Sequence, residues 1–391
     1  MLIRSDFLFT AENKILEDAA LEVENNKIIG VGSSSEILKN RKPDYDFGNG
    51  FILPGLVNAH THLDLSRFLN KIPAKLSFGE WVKRFLSIRA EVGYLNKQEY
   101  AQRIQEQVSY GVTTIGDINQ SGVMANPTTA LVFAFLELLG LTEDFINYKK
   151  NWFDDLLKKK LENIFYGVSP HAPYTTDKKL FEKAQDSGLL QMIHLAESQS
   201  EKDFAEGKVN DITPFLNASG FAPQNYIDQP FWEKFKGGKV IFVHGNYLTD
   251  DEVKKIKSSE SSVAICPRCW DYYGHSQNLW KKLVSENINV CLGTDSLASN
   301  YSLDLHEEMI YLYQNQYFSP ETIIQIATLN GAKALQLDKT IGTLEPEKEA
   351  NLCVFQLPKN TNRQNLYQNF FSSASKNIFT VSQGKILFSK N

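Results

Sequence analysis

The chain is short of several things, and each shortage excludes something. It has four cysteines in 391 residues, Cys266, Cys269, Cys291 and Cys353. They are sparse and mostly sit in apolar, strand-like segments. A disulfide framework is therefore not expected, and a reducing cytoplasm fits. No apolar run approaches the ~18 residues that a membrane helix needs. The opening residues, MLIRSDFLFTAENKI, lack the basic stretch, apolar core and cleavage site of a signal peptide, so they read as mature protein. Positive charge is not in excess: Lys+Arg 41 against Asp+Glu 46 gives a formal net charge of -5. That argues against a nucleic-acid partner, which needs a basic stripe. Lys158, Lys159 and Lys160 read as a local solvated helix face. Low-complexity segments and short repeats are missing too. What remains is a globular chain facing a small molecule, with no membrane and no nucleic acid; homodimerisation is left open, since no interface signature stands out.

The two ends read as short strands. "FLFT", "AALEVENNKIIGVG" and "YDFGNGFILPG" near the start, and "NLCVFQLP" and "KNIFTVSQGKILF" near the end, carry turn residues at hairpin spacing. Neither end alone buries much apolar surface, so together they are expected to close one small β-sandwich, from 1–54 and 346–391. Between them, over 55–345, apolar β-branched runs alternate with helical patterns. The runs are 56–59, 112–117, 130–136, 163–169, 190–195, 239–243, 262–266 and 288–293, with helices expected at 97–110, 154–164 and 277–287. Eight strands alternating with helices point to the α/β class and a (β/α)8 barrel. The third strand is ambiguous, because "TTALVFAFLELLGL" also suits a helix.

Histidine is scarce as well, which makes its placement informative. His60 and His62 follow the first strand in "AHTHL", where residues two apart share a face. His171 follows the fourth strand, His194 ends the fifth, His244 ends the sixth, and Asp295 follows the eighth in "GTDS". Of seven histidines, only His275 and His306 lie outside this series. Barrel active sites lie at the C-terminal ends of the strands. One histidine satisfied by a backbone carbonyl would be ordinary. Five converging on one rim suggest a metal site.

The motifs "LPGLVNAHTHL", "HLAES", "FVHGN" and "GTDS", in that order, resemble those of the metal-dependent amidohydrolase superfamily. Within it the chain is most similar to the cytosine, guanine and adenosyl-compound deaminase and chlorohydrolase group. The resemblance spans nearly the whole chain, including the split β-domain. It implies His60, His62, His194 and Asp295 as metal ligands. It implies Glu197 as the proton shuttle, and His244, with Asp295, as groups that orient the attacking water. Imidazoles plus a carboxylate suit Zn²⁺ or Fe²⁺, with zinc placed first. Such an ion lowers the pKa of water from 15.7 towards about 7. Two-metal members carry a carbamylated lysine after the fourth strand. Here that strand ends "GVSPHAP", so one divalent ion is expected.

Substrate is harder to read. "LSFGEWV" resembles the segment that places a ribose-binding glutamate, here Glu80, although a carboxylate at a helix N-terminus is an equal reading. His171, Arg268 and His275 are the other candidate substrate contacts, the last two from "CPRCWDYYGH". Arg268 could bind an anionic substituent or simply form a surface ion pair. Adenosylhomocysteine deaminases carry arginines around the third strand, but residues 131–144 contain none. "CPRC" has no second cysteine pair at metal spacing, so a separate zinc or redox site is not expected. The expectation is a mononuclear amidohydrolase that deaminates a purine-like base or an adenine nucleoside derivative such as aminofutalosine. A chlorohydrolase or free-base deaminase is the alternative, and a non-catalytic binding barrel the weakest reading.

Overall fold

The computed structural model describes residues 1–125, 130–140, 142–218, 235 and 240–390. Lys239 of the expected sixth strand, and Thr128, Thr129 and Leu141 of the ambiguous third segment, lie outside the described residues.

Among the described residues, sixteen strands build two sheets. Those before the barrel are β1 (Leu2–Phe9), β2 (Ile15–Glu24), β3 (Lys27–Ser33), β4 (Tyr45–Asp46) and β5 (Gly50–Pro54). The barrel strands are β6 (Leu56–Thr61), β7 (Val112–Asn119), β8 (Leu131–Leu138), β9 (Ile164–Pro170), β10 (Gln191–Leu195), β11 (Val240–His244), β12 (Ser262–Ile265) and β13 (Asn289–Leu292). β14 (Leu352–Gln356), β15 (Lys376–Ser382) and β16 (Lys385–Ser389) end the chain.

The terminal strands form one mixed sheet, ordered β16-β15-β14-β5-β1-β2-β3, with β4 beside β1. Both chain ends are needed because β5 pairs antiparallel with β14 from Leu352↔Pro54 to Gln356↔Gly50. Ile3 and Leu8 of β1, Leu21 of β2 and Ile52 of β5 pack into a small core of their own.

The second sheet runs β6 to β13 in sequence order, all parallel. Closure comes at the active rim. The Thr294 N–H donates to the His60 carbonyl at 2.9 Å, and Thr61 bridges Asp295 in parallel register. Gly293 makes this approach feasible: a Cβ there would lie 2.7 Å from the His60 carbonyl oxygen. The ambiguous third segment is a strand. All eight residues of β8 are buried, and it pairs with a strand on each side; its aromatic and β-branched residues fit that setting.

Helix positions differ more. The helix expected at 154–164 instead spans Glu143–Leu157, where Ile146, Phe153 and Leu156 give it a buried face. The lysine run after it carries no apolar stripe to hold a helix against the barrel. The helix expected at 277–287 is confined to Trp280–Ser285.

Candidate active site

The candidate ligands lie at the strand ends that closure brings together. His60 lies near the end of β6 and His62 directly follows it, His194 lies in β10, His244 ends β11, and Asp295 follows β13. Strand alternation sends His60 and His62 to the same side, as their spacing requires. Ala196, His244 and Asp295 take left-handed backbone, with φ of 51°, 71° and 56°. Such conformations cost non-glycine residues about 1–3 kcal/mol each and gather at functional sites. Here they turn the chain sharply as it leaves the strand.

The donor atoms converge. His62 Nε2 lies 3.3 Å from His194 Nε2 and 3.5 Å from Asp295 Oδ1; His60 Nε2 lies 3.6 Å from the same oxygen. Neighbouring atoms assign two ring tautomers. His194 Nδ1 faces the His171 carbonyl at 2.9 Å, and a carbonyl only accepts, so Nδ1 carries the proton. His60 Nδ1 faces Met192 Sδ at 3.2 Å. Both Nε2 atoms then present lone pairs inwards. His60 Nε2 is buried without a hydrogen-bond partner. Lone pairs facing each other and a carboxylate in a dry site repel unless a cation lies among them. The residues therefore fit a divalent ion, and Zn²⁺ or Fe²⁺ suits three imidazoles with one carboxylate. His244 is also within reach, since its ligand atom falls within 4.8 Å of those of His60 and His194.

The surroundings hold the set in place. Asp295 Oδ2 accepts hydrogen bonds from Ser299 Oγ at 2.7 Å and Cys269 Sγ at 2.8 Å. Burial opposes the charge on Asp295, and these two donors favour its ionised form. Burial, with the charge of Asp295 next, pushes the Cys269 thiol well up, so it stays a donor. Burial also drives His62 and His194 well below the usual histidine range, aided chiefly by the neighbouring imidazoles, so they stay neutral.

Glu197 stands across from this group. Its Oε1 lies 3.6 Å from His244 Nε2. Burial first, then Asp295 and Glu201, push the Glu197 carboxyl well above the carboxylate range. The turn that carries it is clamped. Glu201 accepts the backbone N–H of Ala196 at 3.0 Å and of Glu197 at 2.7 Å, and Asn246 donates to the Glu197 carbonyl at 3.0 Å.

Above the site opens a cavity of about 340 Å³. Its floor includes His62, His194, Glu197, His244 and Asp295. Much of its wall is one face of the helix Phe78–Val92, which presents Phe78, Trp81, Val82, Phe85 and Arg89. Those positions recur at helical spacing. Gly79 N–H to Asp211 at 2.8 Å and Trp81 Nε1 to the Ala298 carbonyl at 3.0 Å moor that helix over the barrel mouth. Tyr273, Tyr174, Ile212 and Leu216 complete an apolar wall.

The four expected substrate contacts part company here. His171 lines the pocket. Glu80 does not: it lies off the helical stripe and pairs with Arg84 at 3.2 Å, about half exposed. Ser77 accepts its N–H, so Glu80 occupies a helix-start position. Arg268 also turns away, bound to Glu307 at 2.6 Å and giving its backbone N–H to Glu308 at 2.8 Å. His275 stands behind the wall, its ring 5.2 Å from that of Tyr273. His306 is core, packed on Phe355 and Phe370 and bonded to the Phe370 carbonyl. Sequence reasoning missed Ser299, Met192 and the Glu201 clamp. It also missed Arg89, which the helical periodicity could have flagged.

Residues 51–387 match the model of the amidohydrolase family. The chain belongs to that family. It is thereby a hydrolase acting on carbon–nitrogen bonds. It is similar to 5-methylthioadenosine/S-adenosylhomocysteine deaminase of Thermococcus sibiricus, 26% identical over 99% of this chain and 93% of that one. It is likewise similar to aminodeoxyfutalosine deaminase of Nitratiruptor sp., 27% identical over 98% of this chain and 99% of that one. The fold matches the crystal structure of Helicobacter pylori aminofutalosine deaminase in complex with methylthio-coformycin. The TM-score is 0.84 at 24% identity, covering 98% of this chain and 99% of the other. Among the described residues no helix is long and apolar enough to cross a membrane.

Proposed function

We propose that this amidohydrolase is a mononuclear metal-dependent deaminase of adenine nucleoside derivatives, with aminofutalosine as one candidate substrate. The observation that carries the reading is the pairing of two things at one cavity floor: His60, His62, His194 and Asp295, whose donor atoms approach one another to 3.3–3.6 Å, and a Glu197–His244 pair 3.6 Å apart. Relatives named as deaminases of adenine nucleosides, matching nearly end to end, support it. The cavity also reaches past the floor to Trp81, Phe85 and Leu216, which favours a substituted nucleoside over a free base.

A divalent ion, zinc ahead of iron, would be held by His60, His62, His194 and Asp295 and would supply Lewis acidity that lowers the pKa of water. The chain's own groups do the rest. Glu197 takes a proton from the water that attacks the ring carbon bearing the amino group, and delivers it to the adjacent ring nitrogen. His244 and Asp295 orient that water by hydrogen bonds. Collapse of the tetrahedral carbon, with proton return to the amino group, releases ammonia and leaves a ring carbonyl. Trp81, Phe85 and Tyr273 keep bulk water from the reacting edge.

The test is ammonia release from zinc-loaded protein, one ion per chain. The panel is adenosine, 5′-methylthioadenosine, S-adenosylhomocysteine, aminofutalosine, guanine and cytosine, with a chlorinated triazine for halide release. Turnover of one or more adenine nucleosides is expected, abolished in Glu197→Gln with metal retained. Release from guanine, cytosine or the triazine alone would sink the reading.

A further inference from the structure

Three side chains outside the expected ion's ligand set also converge. A carboxylate oxygen of Glu197, a ring nitrogen of His244 and Cys269 Sγ all lie within 4.8 Å of one another. Glu197 Oε1 and His244 Nε2 are 3.6 Å apart. On one tetrahedral zinc, with bonds of about 2.0–2.3 Å, ligand atoms stand roughly 3.3–3.6 Å from each other. The carboxylate and the imidazole already have that spacing, and the thiol has only a short distance to close. Cys269 and His244 are buried, while Glu197 and His244 line the cavity. An ion therefore reaches the trio from the substrate side. Each member sits on a fixed support: Cys269 in the helix Pro267–Tyr273, His244 at the end of β11, and Glu197 on the turn clamped by Glu201.

The trio shares no residue with His60, His62, His194 and Asp295. Asp295 marks the division between them. Its Oδ1 faces His60 and His62, at 3.6 and 3.5 Å, whereas its Oδ2 faces Cys269 at 2.8 Å. An ion among the first four lies on the Oδ1 side, and one held by Cys269 lies on the Oδ2 side. Sulfur, imidazole and carboxylate together suit zinc, while magnesium and calcium take oxygen ligands. On binding, the thiol passes its proton to water and Cys269 ceases to be a donor. Ser299, at 2.7 Å, still holds Asp295 Oδ2. Four ligands outbind three, so the first zinc goes to the reacting centre. The spacing of the cysteine pair promised no separate zinc site, yet the fold brings one of its thiols to two partners from other strand ends.

We propose that a second zinc ion binds Glu197, His244 and Cys269 and switches the enzyme off. The site follows from the geometry of the trio. The inhibition rests on the deaminase reading above, in which Glu197 moves the proton and His244 orients the water. An ion bound to both takes the lone pairs that these steps need. The enzyme is then active with one ion per chain and inhibited by zinc in excess.

The test titrates protein carrying one zinc per chain with Co²⁺, which binds N and S ligands less tightly than zinc and so leaves the first ion in place. A thiolate-to-cobalt charge-transfer band should grow in with one further equivalent, and Cys269→Ser should lose it. Equilibrium dialysis against buffered Zn²⁺ should give two ions per chain in the wild type and one in Cys269→Ser. Ammonia release is then read for each protein against itself at one equivalent of zinc. Excess zinc should lower wild-type turnover at least about 10-fold, and Cys269→Ser should need at least about 10-fold more zinc for the same loss, since losing a direct ligand costs no less than losing an outer-shell partner. Magnesium should not substitute. A missing cobalt band, or a band or second zinc retained in Cys269→Ser, overturns the site. A second zinc that leaves turnover intact overturns the inhibition. If no nucleoside is deaminated, the deaminase reading fails separately, and the band and the stoichiometry decide the site alone.

Discussion

Replacing Glu201 by Gln should cripple turnover while leaving the candidate metal ligands untouched. Glu201 is 3% exposed. Its two oxygens each accept one backbone N–H, from Ala196 and from Glu197, on a turn where Ala196 has a φ of 51°. Glutamine keeps one acceptor and turns the other into an amide that points N–H at N–H. One buried donor is stranded, and a charge-assisted bond is lost. Leaving such a donor unpaired costs about 1–3 kcal/mol. With the weakened second bond the total is about 2–4 kcal/mol. The turn is the support of Glu197, so relaxing it moves the proton shuttle. A misplacement of ~1 Å can cost about 100-fold in rate. The assay is ammonia release together with a denaturant melt and metal content. Expected are a kcat lower by about 10- to 100-fold, a KM within a few-fold, a lower melting midpoint and unchanged metal. Wild-type kcat with wild-type stability would refute the clamp.

Other perturbations test separate links. Gly293→Ala would place a Cβ 2.7 Å from the His60 carbonyl oxygen and 2.8 Å from its Cβ, so a loss of about 1–3 kcal/mol is expected in denaturant melts, with weaker metal retention. Cys269→Val removes one of two donors to Asp295 Oδ2, and metal affinity measured against a chelator series should fall about 10- to 100-fold, whereas Cys269→Ser should largely preserve it. Glu137 is fully buried, and burial pushes it up to about 7; between the unfolded value near 4.3 and about 7 the native state keeps a proton the unfolded state has lost, so this group's contribution to stability is full below that window and falls by about 4 kcal/mol as pH rises through it. Melts of Glu137→Gln against pH should lack that decline, and a parallel decline would refute the assignment.

How much of this was legible in the chain divides along physical lines. The barrel could be read because parallel strands covered on both faces leave continuous apolar runs, as in "KVIFVH" and "INVCLG". The gathering of His60, His62, His194, His244 and Asp295 could be read because strand ends map onto one rim whatever the loops do. Helix limits were harder. Residues 154–164 look helical by composition, yet the buried stripe of Ile146, Phe153 and Leu156 lies earlier and decides the matter. Contacts between distant segments leave no local trace: the thiol of Cys269 on Asp295, or Glu201 on the turn beside His194, depends on how loops fold back. Glu80 is the instructive case. Similarity to a motif pointed to it, whereas the spacing of Phe78, Trp81, Val82, Phe85 and Arg89 marks one face of the helix and leaves Glu80 off it. Had the 3.6-residue period been weighed above the motif, the same helix would have offered a pocket wall in place of a single carboxylate.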